Sequence, residues 1–190
     1  CSKIDEIVAV VPEGWLNFLD KYLIEFRITK FKETVIGGTT RQESTYNAFI
    51  CLSNYLNDED VVCLIDANRP LMPIEIIEKN VELAQQYGCS VTLSPITDAL
   101  YTAEDGTYID GSLDRKMVFL GQTPESVRFG DGMMIYRQAF ADNIWDLPLT
   151  PLMLHYGKRV VASKGDIRNF KITTSADIAL FEAFLKVEMN

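Results

Sequence analysis

Histidine is nearly absent from this sequence. His155 stands alone in the apolar run PLMLHYG, with no carboxylate or cysteine placed to orient it, and it receives no catalytic assignment. Cysteine is sparse and unpaired: Cys1, Cys51, Cys63 and Cys89 form no C-x-x-C motif, and Cys63 and Cys89 fall in apolar strand-like runs where a cysteine acts as a small buried hydrophobe. That usage implies a reducing, cytoplasmic setting. No apolar stretch approaches the roughly 20 residues of a membrane span, and no basic-then-apolar leader opens the chain. Positive charge is also short. A net charge of −9 excludes a general binder of nucleic acid or anionic membrane, because either needs a broad cationic face.

What is present is enough for one core: 190 residues, 47% of them hydrophobic, fit a single domain. Residues 4–11 (IDEIVAVV) read as a strand covered on both faces. Pro12-Glu13-Gly14 breaks it, and Trp15, Phe18, Leu19 and Leu23 recur at helical spacing. A second strand spans 31–36, followed by a helix over 42–56 that offers Tyr46, Phe49, Ile50 and Leu52 to the core. A third strand, 61–65, precedes a helix over 73–87 stopped by Gly88, and 91–93 forms a fourth. This alternation predicts an α/β layer, a mostly parallel sheet with helices on both faces. From Asp98 to Gln122 the rhythm lapses into two turn signals, predicting a β-hairpin or arm that leaves the sheet. Regular structure resumes at 133–140, 159–162 and 170–172, and a closing helix over 175–186 starts with Ser175 as N-cap and Asp177 in its first turn.

In an open parallel sheet, ligands bind outside the carboxyl ends of the strands. The loops there are GGTTRQES (37–44), DANRP (66–70) and SPITD (94–98), all rich in small, hydroxyl or charged groups. Arg41, Arg69, Arg115, Lys116 and Lys171 give an acidic protein a local cationic focus, which suits a small, multiply charged anion better than a polymer. Each motif alone has a plain reading: Gly37-Gly38 as a tight turn, Asp66 as an Asx turn closing a strand, Gln122-Thr123-Pro124 as a bend, Lys171 as an edge gatekeeper.

Their order is more specific. GGTTRQES, DANRP, PITD (95–98), Asp114-Arg115, QTP (122–124) and NFKITT (169–174) run along nearly the whole chain, and the series resembles the cytidylyltransferases of 2-C-methyl-D-erythritol 4-phosphate and ribitol 5-phosphate. The resemblance implies a Rossmann-like, nucleotide-diphospho-sugar transferase-like fold and a homodimer in which an arm, about residues 100–120, reaches the other subunit. It implies transfer from CTP to a polyol phosphate with release of pyrophosphate, using Mg²⁺. Asp66 then corresponds to the metal ligand, and Gly38, Thr39 and Ser44 to the receptors of cytosine and ribose. Ala67 and Arg69 continue the nucleotide segment. Lys171 corresponds to the lysine that stabilises the pentacovalent α-phosphate, Arg115 to the arginine that grips the acceptor phosphate, and Thr123 lines the acceptor side. The nucleophile of such a reaction is an already anionic phosphate oxygen, so the lack of a Ser-His-Asp or Cys-His arrangement is expected.

The sequence also departs from the pattern. The family opens with a strand, a basic glycine-rich loop that wraps the triphosphate, and a helix; nothing here matches it. The native protein is therefore expected to carry such a unit of roughly 30 residues or more ahead of Cys1, and the present chain to bind CTP poorly without it. An intact native mass near 21.5 kDa would refute that expectation. The family's His-Asp-Ala appears as Ile65-Asp66-Ala67, and its acidic stretch before the late glycine is replaced by DLPLTPLMLHYG. The spacing from Asp98 to Arg115 and the phrase LGQTPES lean toward ribitol 5-phosphate as acceptor. The alternatives are 2-C-methyl-D-erythritol 4-phosphate, in isoprenoid synthesis, and a non-catalytic relative that dimerises or senses nucleotide.

Overall fold

The computed structural model describes residues 1–188. Its elements are β1 (Ile7–Val11), a 3-10 turn, α1 (Leu16–Glu25), β2 (Phe31–Ile36), α2 (Arg41–Leu52), β3 (Val61–Leu64), α3 (Ile74–Tyr87), β4 (Cys89–Pro95), β5 (Leu100–Thr102), β6 (Gly111–Leu113), β7 (Phe119–Arg128), α4 (Phe129–Ala141), α5 (Leu149–His155), β8 (Val161–Lys164) and α6 (Ser175–Glu188). β1 and β2 form a parallel pair. The sheet that carries the core has the order β3-β7-β4-β8. β4 and β8 run parallel, while β7 runs antiparallel to both β3 and β4. β5 and β6 make a separate hairpin.

The α/β class holds, with parallel ladders and packed helices, but the central sheet is more mixed than the alternation implied. The reason is β7. Its ten residues pass straight through the sheet, and the stretch from Thr123 to Val127 is buried throughout. Its sequence, TPESV, carries three polar residues and a proline, and Gln122-Thr123-Pro124 at its start reads as a bend in the sequence. The arm proper is only the β5–β6 hairpin and its connections.

Successive residues of a strand point to opposite faces, and β4 shows what covers each. Cys89 joins Val62, Val127, Phe49, Tyr136, Leu149 and Leu152 in the core beneath α2, α4 and α5. Each large side chain fully withdrawn from water there contributes about 1.5–3 kcal/mol. Ser90 turns the other way and donates to the Asn80 carbonyl of α3 at 2.6 Å. The Asn80 amide in turn donates to Thr92 of β4 and Ser163 of β8, 3.2 and 2.9 Å away, bracing the two parallel strands under α3. α3 ends at Gly88, whose φ of 93° a side chain would strain, as the sequence predicts.

Other expectations shift. Residues 170–172 are not a strand: Ile172 bonds to Asn68 in the loop after β3 instead of to a sheet edge. α6 begins at Ser175, so its N-cap is Thr174, whose hydroxyl pairs with Asp177 in place of a Ser175 cap. Phe49 is fully buried, but Ile50, expected beside it, is exposed. α1 buries no residue, and Trp15 and Phe18 lie open. β1 is not covered on both faces either, since Ile7 and Val10 are exposed.

Candidate active site

Asp66 stands two residues beyond the end of β3. Its amide donates to the Thr123 hydroxyl on neighbouring β7 at 3.1 Å, which fixes the backbone where the strand stops. Around its carboxylate, three cations converge. Arg69 Nε lies 3.1 Å from Oδ2, Lys171 Nζ 3.4 Å from the same oxygen, and Arg41 Nη2 3.4 Å from Oδ1. Partial burial pushes the Asp66 carboxyl up; the charges of Arg41, Arg69 and Lys171 overcome that and leave it below the usual carboxylate range.

Each cation is held by a separate piece of chain. Arg41 opens α2, capped by Thr40, whose side chain accepts from the Glu43 amide. The next residue, Gln42, is buried and anchors the helix start by accepting from Leu147 N and donating to Ile144 O, at 2.8 and 2.9 Å. Arg69 donates through Nη1 to the Asn169 carbonyl at 2.6 Å. Asn68 and Ile172 exchange two bonds of 2.9 Å, so the loops 66–70 and 169–174 are zipped together. That zipper is what brings Lys171, more than 100 residues away in sequence, to Asp66. Asn169 locks it from below: it is fully buried, and its amide donates to the Thr123 carbonyl at 2.7 Å.

A second carboxylate belongs to the same edge. Glu125 lies two residues after Thr123 on β7, and its side chain is 9% exposed. Its Oε2 accepts from the Thr150 amide and hydroxyl at 2.9 and 2.8 Å, and its Oε1 lies 3.7 Å from Arg41 Nη2. Three cations thus face two carboxylates. Arg41 and Lys171 remain 48% and 38% exposed, so they present charge to the open edge, whereas Arg69 is 10% exposed.

The segment 37–44 folds on itself beside this cluster. Gly38 N donates to Ser44 Oγ at 3.0 Å, and Ser44 Oγ donates to the Thr40 carbonyl at 2.8 Å. Thr39 gives its hydroxyl and amide to Glu43, which holds that carboxyl below its ordinary range. A Cβ on Gly38 would collide with the Glu43 side chain, so the position requires glycine unless Glu43 moves.

Of the residues expected from sequence, Asp66, Ala67, Arg69 and Lys171 come together, and Gly38, Thr39 and Ser44 form one loop. Thr123 is buried, with its hydroxyl engaged by Asp66 rather than open to a ligand. Arg115 sits on the arm, donating to the Thr97 carbonyl at 2.5 Å, and among the described residues it forms no ion pair with the Asp66 cluster. Sequence reasoning missed Glu125 and Asn169 and left Arg41 as general cationic background. The period-two spacing of Thr123 and Glu125 was the available signal, hidden by the turn-like reading of Gln122-Thr123-Pro124. A cleft of about 710 Å³ lies elsewhere, between residues 58–59 and α4; its walls mix both signs of charge, and Glu59, Arg128 and Asp131 among them are engaged in the pairs Arg128–Glu59 and Lys158–Asp131, each at 3.4 Å. The charged residues expected from sequence gather instead at the strand-end edge.

Fold and edge together define a class: an α/β protein with a cationic, carboxylate-centred edge suited to phosphate groups. The chain belongs to the 2-C-methyl-D-erythritol 4-phosphate cytidylyltransferase (IspD) family, whose profile matches residues 1–187. It is 31% identical over 190 residues to a ribitol-5-phosphate cytidylyltransferase of Vibrio parahaemolyticus, covering 100% of this chain and 80% of that protein. It is 32% identical over 184 residues to a 2-C-methyl-D-erythritol 4-phosphate cytidylyltransferase of Geotalea uraniireducens, covering 96% and 78%. In fold it is similar to the 4-diphosphocytidyl-2C-methyl-D-erythritol synthase of Anaerococcus prevotii, with a TM-score of 0.83 at 23% identity over 96% of this chain and 79% of that one.

Proposed function

We propose that this protein transfers a cytidylyl group from CTP to a polyol phosphate, with ribitol 5-phosphate the favoured acceptor. A phosphate oxygen of the acceptor attacks the α-phosphorus of CTP, the bond from that phosphorus to the β-phosphate oxygen breaks, and pyrophosphate leaves. The observation that carries this reading is the convergence of Arg41, Arg69 and Lys171 on Asp66 at the strand ends. Proximity and charge neutralisation are what the reaction demands of a protein, and no side-chain nucleophile is needed. Lys171 neutralises charge building on the α-phosphate, and Gly38, Thr39 and Ser44 receive the base and ribose.

Mg²⁺ fits this donor set in one way. Among the described residues no group of three or more His, Cys, Asp or Glu side chains could hold a metal, and of the two carboxylates at this edge Asp66 is the one not tied to Thr150. Mg²⁺ commonly binds through one or two carboxylates, water and substrate phosphates, and a triphosphate supplies the missing oxygens and negative charge. Asp66 would hold the ion, which when bound would supply positive charge against the charge of the triphosphate.

The arm supports a homodimer. Tyr101, Tyr108, Ile109 and Met117 are exposed on or beside it, an apolar surface suited to a partner, and Arg115 at its base would reach the acceptor phosphate in the other subunit. No described helix is long and apolar enough to cross a membrane; the cytoplasmic setting of this reading rests on the free cysteines.

The test is to incubate full-length protein with CTP, Mg²⁺ and either ribitol 5-phosphate or 2-C-methyl-D-erythritol 4-phosphate and to follow pyrophosphate release. Faster release with ribitol 5-phosphate is expected. Preference for the other polyol reverses the acceptor assignment, and no release with either refutes transfer to these acceptors.

A further inference from the structure

The two oxygens of Asp66 are not equivalent. Arg69 and Lys171 make their nearest approach at Oδ2, 3.1 and 3.4 Å away, while Arg41 makes its nearest approach at Oδ1, 3.4 Å away. A hard cation approaching Oδ1 therefore meets Arg41 first. Arg41 is also the most exposed of the three cations and the easiest to move.

What receives Arg41 is already in place. The Nη2 atom that touches Asp66 Oδ1 lies 3.7 Å from Glu125 Oε1. Glu125 cannot follow a moving partner, because Thr150 fixes its other oxygen twice. It is also nearly buried, and a carboxylate withdrawn from water requires a compensating charge. One side chain is mobile and the other is a fixed acceptor. Given the nucleotidyl-transfer reading of this edge, we propose that Glu125 is a positioning residue: it takes over the Arg41 guanidinium when a divalent cation and triphosphate claim Asp66. Arg41 thereby guards Oδ1 in the free protein and stays beside the phosphates in the loaded one, where without Glu125 it would compete with the metal for Asp66.

Glu125→Gln tests this, because it keeps an oxygen for Thr150 and removes only the charge. The measurement is CTP affinity of the full-length protein by calorimetry, without acceptor, in excess Mg²⁺ and in EDTA. In the unaltered protein Mg²⁺ tightens CTP binding. In Glu125→Gln, binding in EDTA is expected to be equal or tighter, since one negative charge is lost from the edge, and the tightening by Mg²⁺ is expected to shrink about tenfold, the worth of one charged contact. Glu125→Gln should have no further effect on that tightening once Arg41→Gln has removed the guard, as a double-mutant cycle reads directly.

Unchanged Mg²⁺ tightening in Glu125→Gln, or equal weakening with and without Mg²⁺, overturns the proposal alone. Absence of CTP binding by the unaltered protein in both conditions overturns the functional reading and the proposal with it. If Glu125→Gln fails to fold, Arg41→Gln decides on its own: retained Mg²⁺ tightening with weaker binding in EDTA is the expected result, and loss of the tightening refutes the guard.

Discussion

Replacing Lys171 with alanine should separate catalysis from stability. Lys171 Nζ lies 3.4 Å from Asp66 Oδ2 and is 38% exposed, so water screens the pair and the side chain pays rotamer entropy to hold it. Pairs of this kind contribute no more than about 1 kcal/mol, and Asp66 keeps Arg41 and Arg69 after the truncation. In a domain of this size that corresponds to a melting shift of roughly 2–4 °C at most. The rate should behave differently. Removing one preorganised charge partner from a transition state that concentrates charge on phosphorus costs about two to three orders of magnitude in turnover.

The assay is therefore double: pyrophosphate release under saturating CTP and acceptor, and a circular-dichroism melt on the same preparations. Lys171→Arg should recover part of the rate, limited by the bulk of the guanidinium at the zipped loop. A turnover loss below about tenfold with an unchanged melt would remove Lys171 from the chemistry. A melt lowered by far more than the ion pair allows would mean that the loop 169–174 had opened, so the rate loss would have to be assigned to structure.

Asn169→Ala should do the reverse and act on the scaffold first. It strands the buried Thr123 carbonyl and loosens the wall behind Arg69, at a cost of about 1–3 kcal/mol, read as a lower midpoint in urea with unchanged slope; a midpoint equal to that of the unaltered protein would contradict the lock described here. Acid sensitivity should concentrate at the start of α6, where Thr173 and Thr174 amides and hydroxyls hold the Asp177 carboxyl down to about 2. A depressed folded-state value gives stability that is present above the unfolded value of about 4 and lost as pH falls toward the folded one. Asp177→Asn should therefore lose stability relative to the unaltered chain above pH about 4, with the gap closing toward pH 2; a gap independent of pH would show that the hydrogen bonds, and not the charge, matter there.

How far this molecule could be read from its sequence depended on which force set each feature. A position governed by backbone geometry was legible: Gly88 stops α3 because a φ of 93° excludes side chains. Asp66 and Lys171 were legible as residue types at a strand-end edge, through the order of the motifs. What failed was polar burial. Gln122-Thr123-Pro124 reads as a bend in isolation, yet it lies inside β7, where Thr123 and Glu125 are satisfied by partners from 25 to 57 residues away, which no local pattern can announce. The same long-range pairing explains 170–172, where the segment trades a sheet edge for the Asn68–Ile172 exchange. Apolar spacing misled in the opposite direction on α1 and at Ile50, since a periodic face says which side chains could be covered and not whether an element arrives to cover them. The site shares this logic: a charged cluster is specified by contacts between distant loops, so its members can be named singly from sequence, while the division of labour among Arg41, Glu125 and Asp66 exists only once β3, β7 and α2 are brought to one edge.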